Sequence, residues 1–153
     1  MLVVGLGNPL FSDDGLGLRV VEKLRPEFPA VHILSPTSDL LKLIFGKKRV
    51  AIVDAVKLGK EPGTIFVLNL RRVRAYPKSN THNLSISDIL TLGYTFYQEK
   101  MPEEIVLFGV EAKDIVTFKE KLSEEVERVI PELVEKIRNF LEKESNHEST
   151  GTC

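Results

Sequence analysis

The apolar residues of this chain fall into two rhythms, unbroken runs of four or five and helical spacings of three or four. Leu2–Leu6 is a short apolar run ending in Gly5-Leu6-Gly7-Asn8-Pro9, as expected of a buried strand entering a turn. Ser12 stands where it can cap a helix beginning at Asp13, with Leu16, Leu18, Val20, Val21 and Leu24 on one side and Pro26 and Pro29 as stops. Residues 31–34 read as a second strand and 39–45 as a short helix ended by Gly46. Arg49–Val56 contains the unbroken run Val50-Ala51-Ile52-Val53, which fits a strand covered on both faces. Pro62-Gly63 turns the chain into a strand over 64–70, and a polar loop over 76–83 precedes a helix over 85–100. Residues 104–110 read as the last strand. The closing helix, 118–144, carries Leu122, Val126, Val129, Leu133, Ile137 and Leu141 near helical period, and Pro131 inside it implies a kink or break.

Strands alternating with helices specify an α/β protein, with a parallel or mixed sheet and helices on both faces. No repeat or Pro/Gly/Ser linker divides the chain, so 1–144 reads as one domain and 145–153 as a loose polar tail. In this architecture ligands sit beyond the carboxyl ends of the strands.

Composition narrows the picture modestly. With 153 residues, 42% hydrophobic and 28% charged, the chain suits a single core. A net charge of -1 encodes no pull toward nucleic acid or anionic lipid. Arg71, Arg72 and Arg74 form the densest basic cluster and read as a solvated strand edge. The one cysteine, Cys153, cannot form an internal disulfide. The start MLVVGLGNPL has no basic leader and is too short to span a membrane, so the expected compartment is the cytosol.

Candidate chemistry concentrates in the segment from Gly5 to Gly17. A nucleotide-binding reading fails because Leu10 stands where a third glycine is needed and Asp13 and Asp14 would repel a pyrophosphate. Those two acids have a plain alternative, compensation of a helix dipole. Asp54 closes a buried strand, where a carboxylate is costly unless it is paired, hydrogen-bonded or metal-bound; loop amides are its alternative partners. The strands preceding Asp14 and Asp54 are expected to be close, bringing both acids to one edge. Of the three histidines, His147 lies in the tail, His32 begins a strand near the surface, and His82 sits in a loop before a helix. Two carboxylates and one imidazole with open positions suit a divalent transition metal. Neither a Gly-x-Ser-x-Gly elbow nor a Cys-His pair is present.

Read in order, Gly5-Leu6-Gly7-Asn8, Ser12-Asp13-Asp14-Gly15-x-Gly17, Ile52-Val53-Asp54-Ala55, Pro62-Gly63 and Thr81-His82-Asn83 resemble the hydrogenase maturation proteases, particularly the branch serving hydrogenase-3 type large subunits. The resemblance runs from Met1 to about residue 110. It implies a three-layer αβα sandwich around a mostly parallel twisted sheet of about five strands. It also implies removal of a C-terminal extension from the large-subunit precursor of a NiFe hydrogenase after nickel insertion. Asp14, Asp54 and His82 fall on the family's metal-binding acid, acid and histidine and are the implied catalytic set. The metal would be nickel supplied by the substrate, with another divalent ion able to take the site in isolation. Gly5 and Asn8 would shape the loop, and Gly109 and Glu111, in Phe108-Gly109-Val110-Glu111, would border the substrate cleft. A monomer, with no nucleic-acid partner and no membrane insertion, is the expectation. Ser35-Pro36-Thr37 replaces the Asp-Gly-Gly that many relatives carry, so the client hydrogenase is not read from the sequence.

Two rivals stand beside this reading. Val4-Gly5-Leu6-Gly7-Asn8-Pro9 also resembles the opening of peptidyl-tRNA hydrolases, but Leu10 replaces their next glycine and His82-Asn83 comes far too late. A nickel-binding module that retains the ligands without cutting is the non-enzymatic alternative.

Overall fold

Strands with continuous apolar runs need cover on both faces, and the helices divide between the two sides accordingly. The computed structural model describes residues 1–71 and 85–143. Its elements in chain order are β1 Leu2–Leu6, α1 Leu16–Leu24, β2 Ala30–Ile33, α2 Asp39–Ile44, β3 Arg49–Val56, β4 Ile65–Asn69, α3 Ile86–Phe96, β5 Glu104–Glu111 and α4 Glu124–Glu142. One five-stranded sheet runs β2-β1-β3-β5-β4. All neighbours are parallel except β4 and β5. The fold is therefore the expected α/β layering around a mostly parallel sheet.

Alternation along the strands builds two cores. Val3, Ala51, Val53, Val106 and Phe108 pack with α1 and α4. Leu2, Val4, Leu6, Val50, Ile52, Ile105 and Leu107 pack with α2 and α3 on the other face. The order of strand addition reverses at β1: β2 lies to one side of it and β3 to the other. The crevice at the carboxyl ends of β1 and β3 is thus the topological switch point.

The close approach of α1 to β1 depends on paired glycines. A Cβ on Gly5 would stand 2.3 Å from the Gly17 carbonyl oxygen, and one on Gly17 would stand 2.4 Å from that of Leu6. On the opposite face, Ser85 begins α3 as part of a capping box, accepting the Asp88 amide and donating its own to the Asp88 carboxylate. The far end of α3 is tied to the entry of β5, since the Tyr94 hydroxyl donates to the Pro102 carbonyl.

Several expectations are corrected. Ser12 caps nothing: it sits at φ +49° in a 3-10 turn, Ser12–Gly15, and α1 starts only at Leu16. Its hydroxyl donates instead to the Lys121 carbonyl at 3.0 Å. The closing helix begins six residues later than the expected 118, at Glu124. It is assigned without a break across Pro131, an exposed position where water can take the carbonyl that proline leaves unpaired. The helix over 85–100 stops at Phe96 and continues as a separate 3-10 turn, Gln98–Lys100. Ser35-Pro36-Thr37 leads into α2, where the Thr37 hydroxyl accepts the Asp39 amide at 3.3 Å. Arg72, Arg74, the polar loop over 76–83 with His82, and the tail with His147 and Cys153 lie outside the described residues.

Among the described residues no helix is long and apolar enough to cross a membrane. The Gly5–Gly17 contact is testable. Gly5→Ala forces a methyl into backbone and is expected to lower stability by more than about 2 kcal/mol, the scale of an overpacked core site. Urea unfolding followed by circular dichroism measures it.

Candidate active site

β1 runs out at Leu6, and Gly7 turns the chain at φ +122°, a region that disfavours side chains. A Cβ on Gly7 would lie 2.1 Å from the Asp14 carbonyl oxygen, so the 3-10 turn can fold over the strand end only above glycine. Asp14 faces this turn: the Asn8 amide donates to its Oδ2 at 2.8 Å. The Asn8 side chain shapes the same loop, its Oδ1 accepting the Leu10 amide at 3.0 Å.

Asp13 points away and does structural work. It is completely buried, and its carboxylate accepts the amides of Lys113, Asp114 and Ser123 together with the Ser123 hydroxyl. This clamp ties the turn carrying Asp14 to the segment entering α4. Burial of a carboxylate is sustainable only with such a set of donors. Adjacent acids thus differ in surroundings, and of the two it is Asp14 whose charge acts on Asp54.

Asp54 is the sixth residue of β3 and lies in register with Gly109 of β5. The residue is half-buried by area, yet burial of its carboxyl is the largest cause holding its pKa well above the usual aspartate value. The Asp14 charge raises it further, and the Ala55 amide opposes both. The fold therefore does bring Asp14 and Asp54 together at the switch point, near enough to feel each other's charge. Among the described residues no three acidic, histidine or cysteine side chains group closely enough to hold a metal. His82, the third expected ligand, lies outside them.

The remaining expected site residues separate. Gly109 stands beside Asp54, between β3 and Phe66 of β4. Gly5 is turned against α1 rather than toward the crevice. Glu111 is 2% exposed, with its carboxylate accepting the amides of Leu58, Gly59 and Lys60 at 2.7–3.0 Å. It organises the turn after β3, and its acceptors already have partners.

A histidine expected near the surface also stands at this edge. His32 is half-buried in β2, in register with Gly5, and its Nε2 lies 2.6 Å from the Gly7 carbonyl oxygen. Its signal in the sequence is a lone polar side chain within Ala30-Val31-His32-Ile33. The rim nearby is apolar: Leu10, Val116 and Phe118 are exposed, and Phe118 meets Phe11 edge to face at 6.1 Å.

Comparison with known proteins now bears on this geometry. The model of the hydrogenase maturation protease family HycI matches residues 19–140, well over half the chain. The chain belongs to the hydrogenase maturation protease family. The hydrogenase 2 maturation protease of Escherichia coli is 32% identical over 120 residues, covering 72% of this chain and 71% of that protein. The hydrogenase expression/formation protein HoxM of Cupriavidus necator is 25% identical, covering 94% of this chain and 74% of its own length. The solved structure of the hydrogenase maturating endopeptidase HybD from Escherichia coli superposes with a TM-score of 0.78 at 26% identity, over 95% of this chain and 93% of that one. This protease family membership sets the chemistry as peptide hydrolysis.

The raised Asp54 carboxyl has a measurable consequence for the maturation protease. In the folded chain Asp54 keeps its proton to higher pH than in the unfolded chain, so the unfolded state binds fewer protons across that interval and stability falls as pH rises through it. Asp54→Asn, neutral throughout, is expected to melt a few degrees above the parent near neutral pH, about 1 kcal/mol moving the midpoint by roughly 2–4 °C at this size. The difference should vanish as pH drops into the ordinary aspartate range. Melting curves of the metal-free protein at several pH values check this.

Proposed function

We propose that this protease is a cytoplasmic endopeptidase that removes the C-terminal extension of a nickel-loaded NiFe hydrogenase large-subunit precursor, with Asp14, Asp54 and His82 completing the coordination of the substrate's nickel. The observation that carries the reading is the pair of carboxylates at the β1–β3 switch point, where burial and the Asp14 charge both oppose ionisation of Asp54. A divalent cation between two such groups replaces repulsion by attraction. The pair is thus fitted to a cation that arrives from outside. In isolation another divalent ion could take the site.

Imidazole and carboxylate donors together suit nickel among the divalent metals. His82 is counted as the third donor because Thr81-His82-Asn83 matches the family's histidine motif.

A metal carried by the substrate acts as a checkpoint, because a loaded precursor brings the cation that offsets the repulsion between the two acids. The substrate's nickel supplies Lewis-acid polarisation for hydrolysis of the scissile amide. The protease's own residues hold that centre in place: the Asn8 amide orients Asp14, and β3 fixes Asp54 beside the bare backbone of Gly109. The apolar rim of Leu10, Val116 and Phe118 gives a protein substrate a surface to bury next to the site.

Mass spectrometry of a nickel-loaded precursor, incubated with each protein, tests the proposal. The parent protein should release one C-terminal peptide. Asp14→Asn should slow release by more than about a hundredfold, the scale on which preorganised electrostatic partners act. Full processing by Asp14→Asn contradicts the metal-site reading, and a precursor left uncut by the parent protein contradicts the protease reading.

A further inference from the structure

The Gly7–Asn8 peptide is held at both of its polar atoms. On one side its carbonyl oxygen lies 2.6 Å from His32 Nε2; on the other its N–H donates to Asp14 Oδ2 at 2.8 Å. A carbonyl oxygen only accepts, so His32 Nε2 carries the proton and donates. The three groups form one chain, from imidazole N–H to peptide to carboxylate. Each hydrogen bond along such a chain polarises the next, which strengthens the hold of the Asn8 amide on Asp14.

Gly7 has no side chain to anchor this peptide, and its φ of +122° lies where a side chain is disfavoured, so the peptide is positioned through its own N–H and carbonyl. The Gly7 amide donates to the Ile33 carbonyl at 3.1 Å, which pins the preceding peptide but not this one. His32 holds this peptide from the neighbouring strand. Gly5 stands opposite it in the register, so no side chain on β1 competes for the space beside the imidazole.

The geometry points to His32 as a positioning residue of the protease: it orients Asp14 through the Gly7–Asn8 peptide without touching the substrate. This inference rests on the proposed role of Asp14 in processing. Loss of the imidazole donor weakens the polarised Gly7–Asn8 peptide's hold on Asp14 Oδ2, one of the contacts that direct that carboxylate. Misplacement of a reacting group by about 1 Å is enough to cost on the order of a hundredfold in rate.

The test uses the full chain with His32→Leu, which removes the donor, and His32→Gln, which restores an N–H donor. Two readouts are needed, the single-turnover rate on nickel-loaded precursor at saturating protease and the proton shift of the Asn8 amide in the metal-free protein. For His32→Leu the rate should fall roughly tenfold to a hundredfold with little change in the half-saturating concentration, and the Asn8 amide proton should move upfield. His32→Gln should recover most of both. Should His32→Leu not fold, the Asn8 shift in His32→Gln decides: a parent-like downfield shift supports the donor role and an upfield one overturns it. A folded His32→Leu with parental rate or unmoved Asn8 shift overturns the inference, and so does failure of His32→Gln to restore either readout. Asp14→Asn is the control that separates the two levels. If it is inactive while His32→Leu is fully active, only the His32 role falls; if Asp14→Asn itself cleaves normally, both readings fall.

Discussion

Two carboxylates that converge at a partly buried edge repel each other, and the structure around them exists to hold them there despite it. Asp54 arrives on a strand whose apolar run leaves it no freedom to withdraw, because Val50–Val53 are fully buried. Asp14 arrives on a turn that closes over β1 only through glycine at position 7. Neither placement relieves the other. Burial and the Asp14 charge act in the same direction on Asp54, and among the described residues the Ala55 amide works against them.

The supports of this pair form a hierarchy. Gly5 and Gly17 let α1 lie directly on β1, which sets where the turn before α1 can begin. Asp13 locks that turn to the end of β5 and the start of α4 by four donors, so this acid serves the scaffold while the charge of Asp14 acts on Asp54. Glu111 does similar work for the turn after β3, satisfying three consecutive amides. Buried carboxylates serve here in two distinct ways: fully paired ones fix loops, and the unrelieved one marks the centre.

Much of this was legible in the amino-acid sequence, for identifiable reasons. β1 and β3 were plain because both faces are buried and their apolar runs have no interruptions. Asp54 stood out by following such a run directly. The convergence with Asp14 followed from the doubly wound topology that alternating strands and helices imply. What escaped was whatever depended on long-range partners. Ser12 resembles a helix cap, but its hydroxyl bonds a carbonyl 109 residues away and its backbone is left-handed. Phe118 and Leu122 stand at helical spacing before Val126, yet the clamp around Asp13 holds Ser123 outside the helix. Asp13 and Glu111 looked like a dipole acid and a cleft residue, since no local pattern announces a carboxylate filled by distant amides. His32 was missed because its role passes through the backbone of another strand.

The account turns on whether Asp14 and Asp54 share one electrostatic environment. The direct measurement is a carbon-13 NMR titration of the Asp54 side-chain carboxyl in the metal-free protein, alone and with Asp14→Asn. The predicted result is a midpoint well above the ordinary aspartate range that moves down in Asp14→Asn but stays elevated, because burial is the larger cause. An ordinary midpoint, or one indifferent to Asp14, would contradict it.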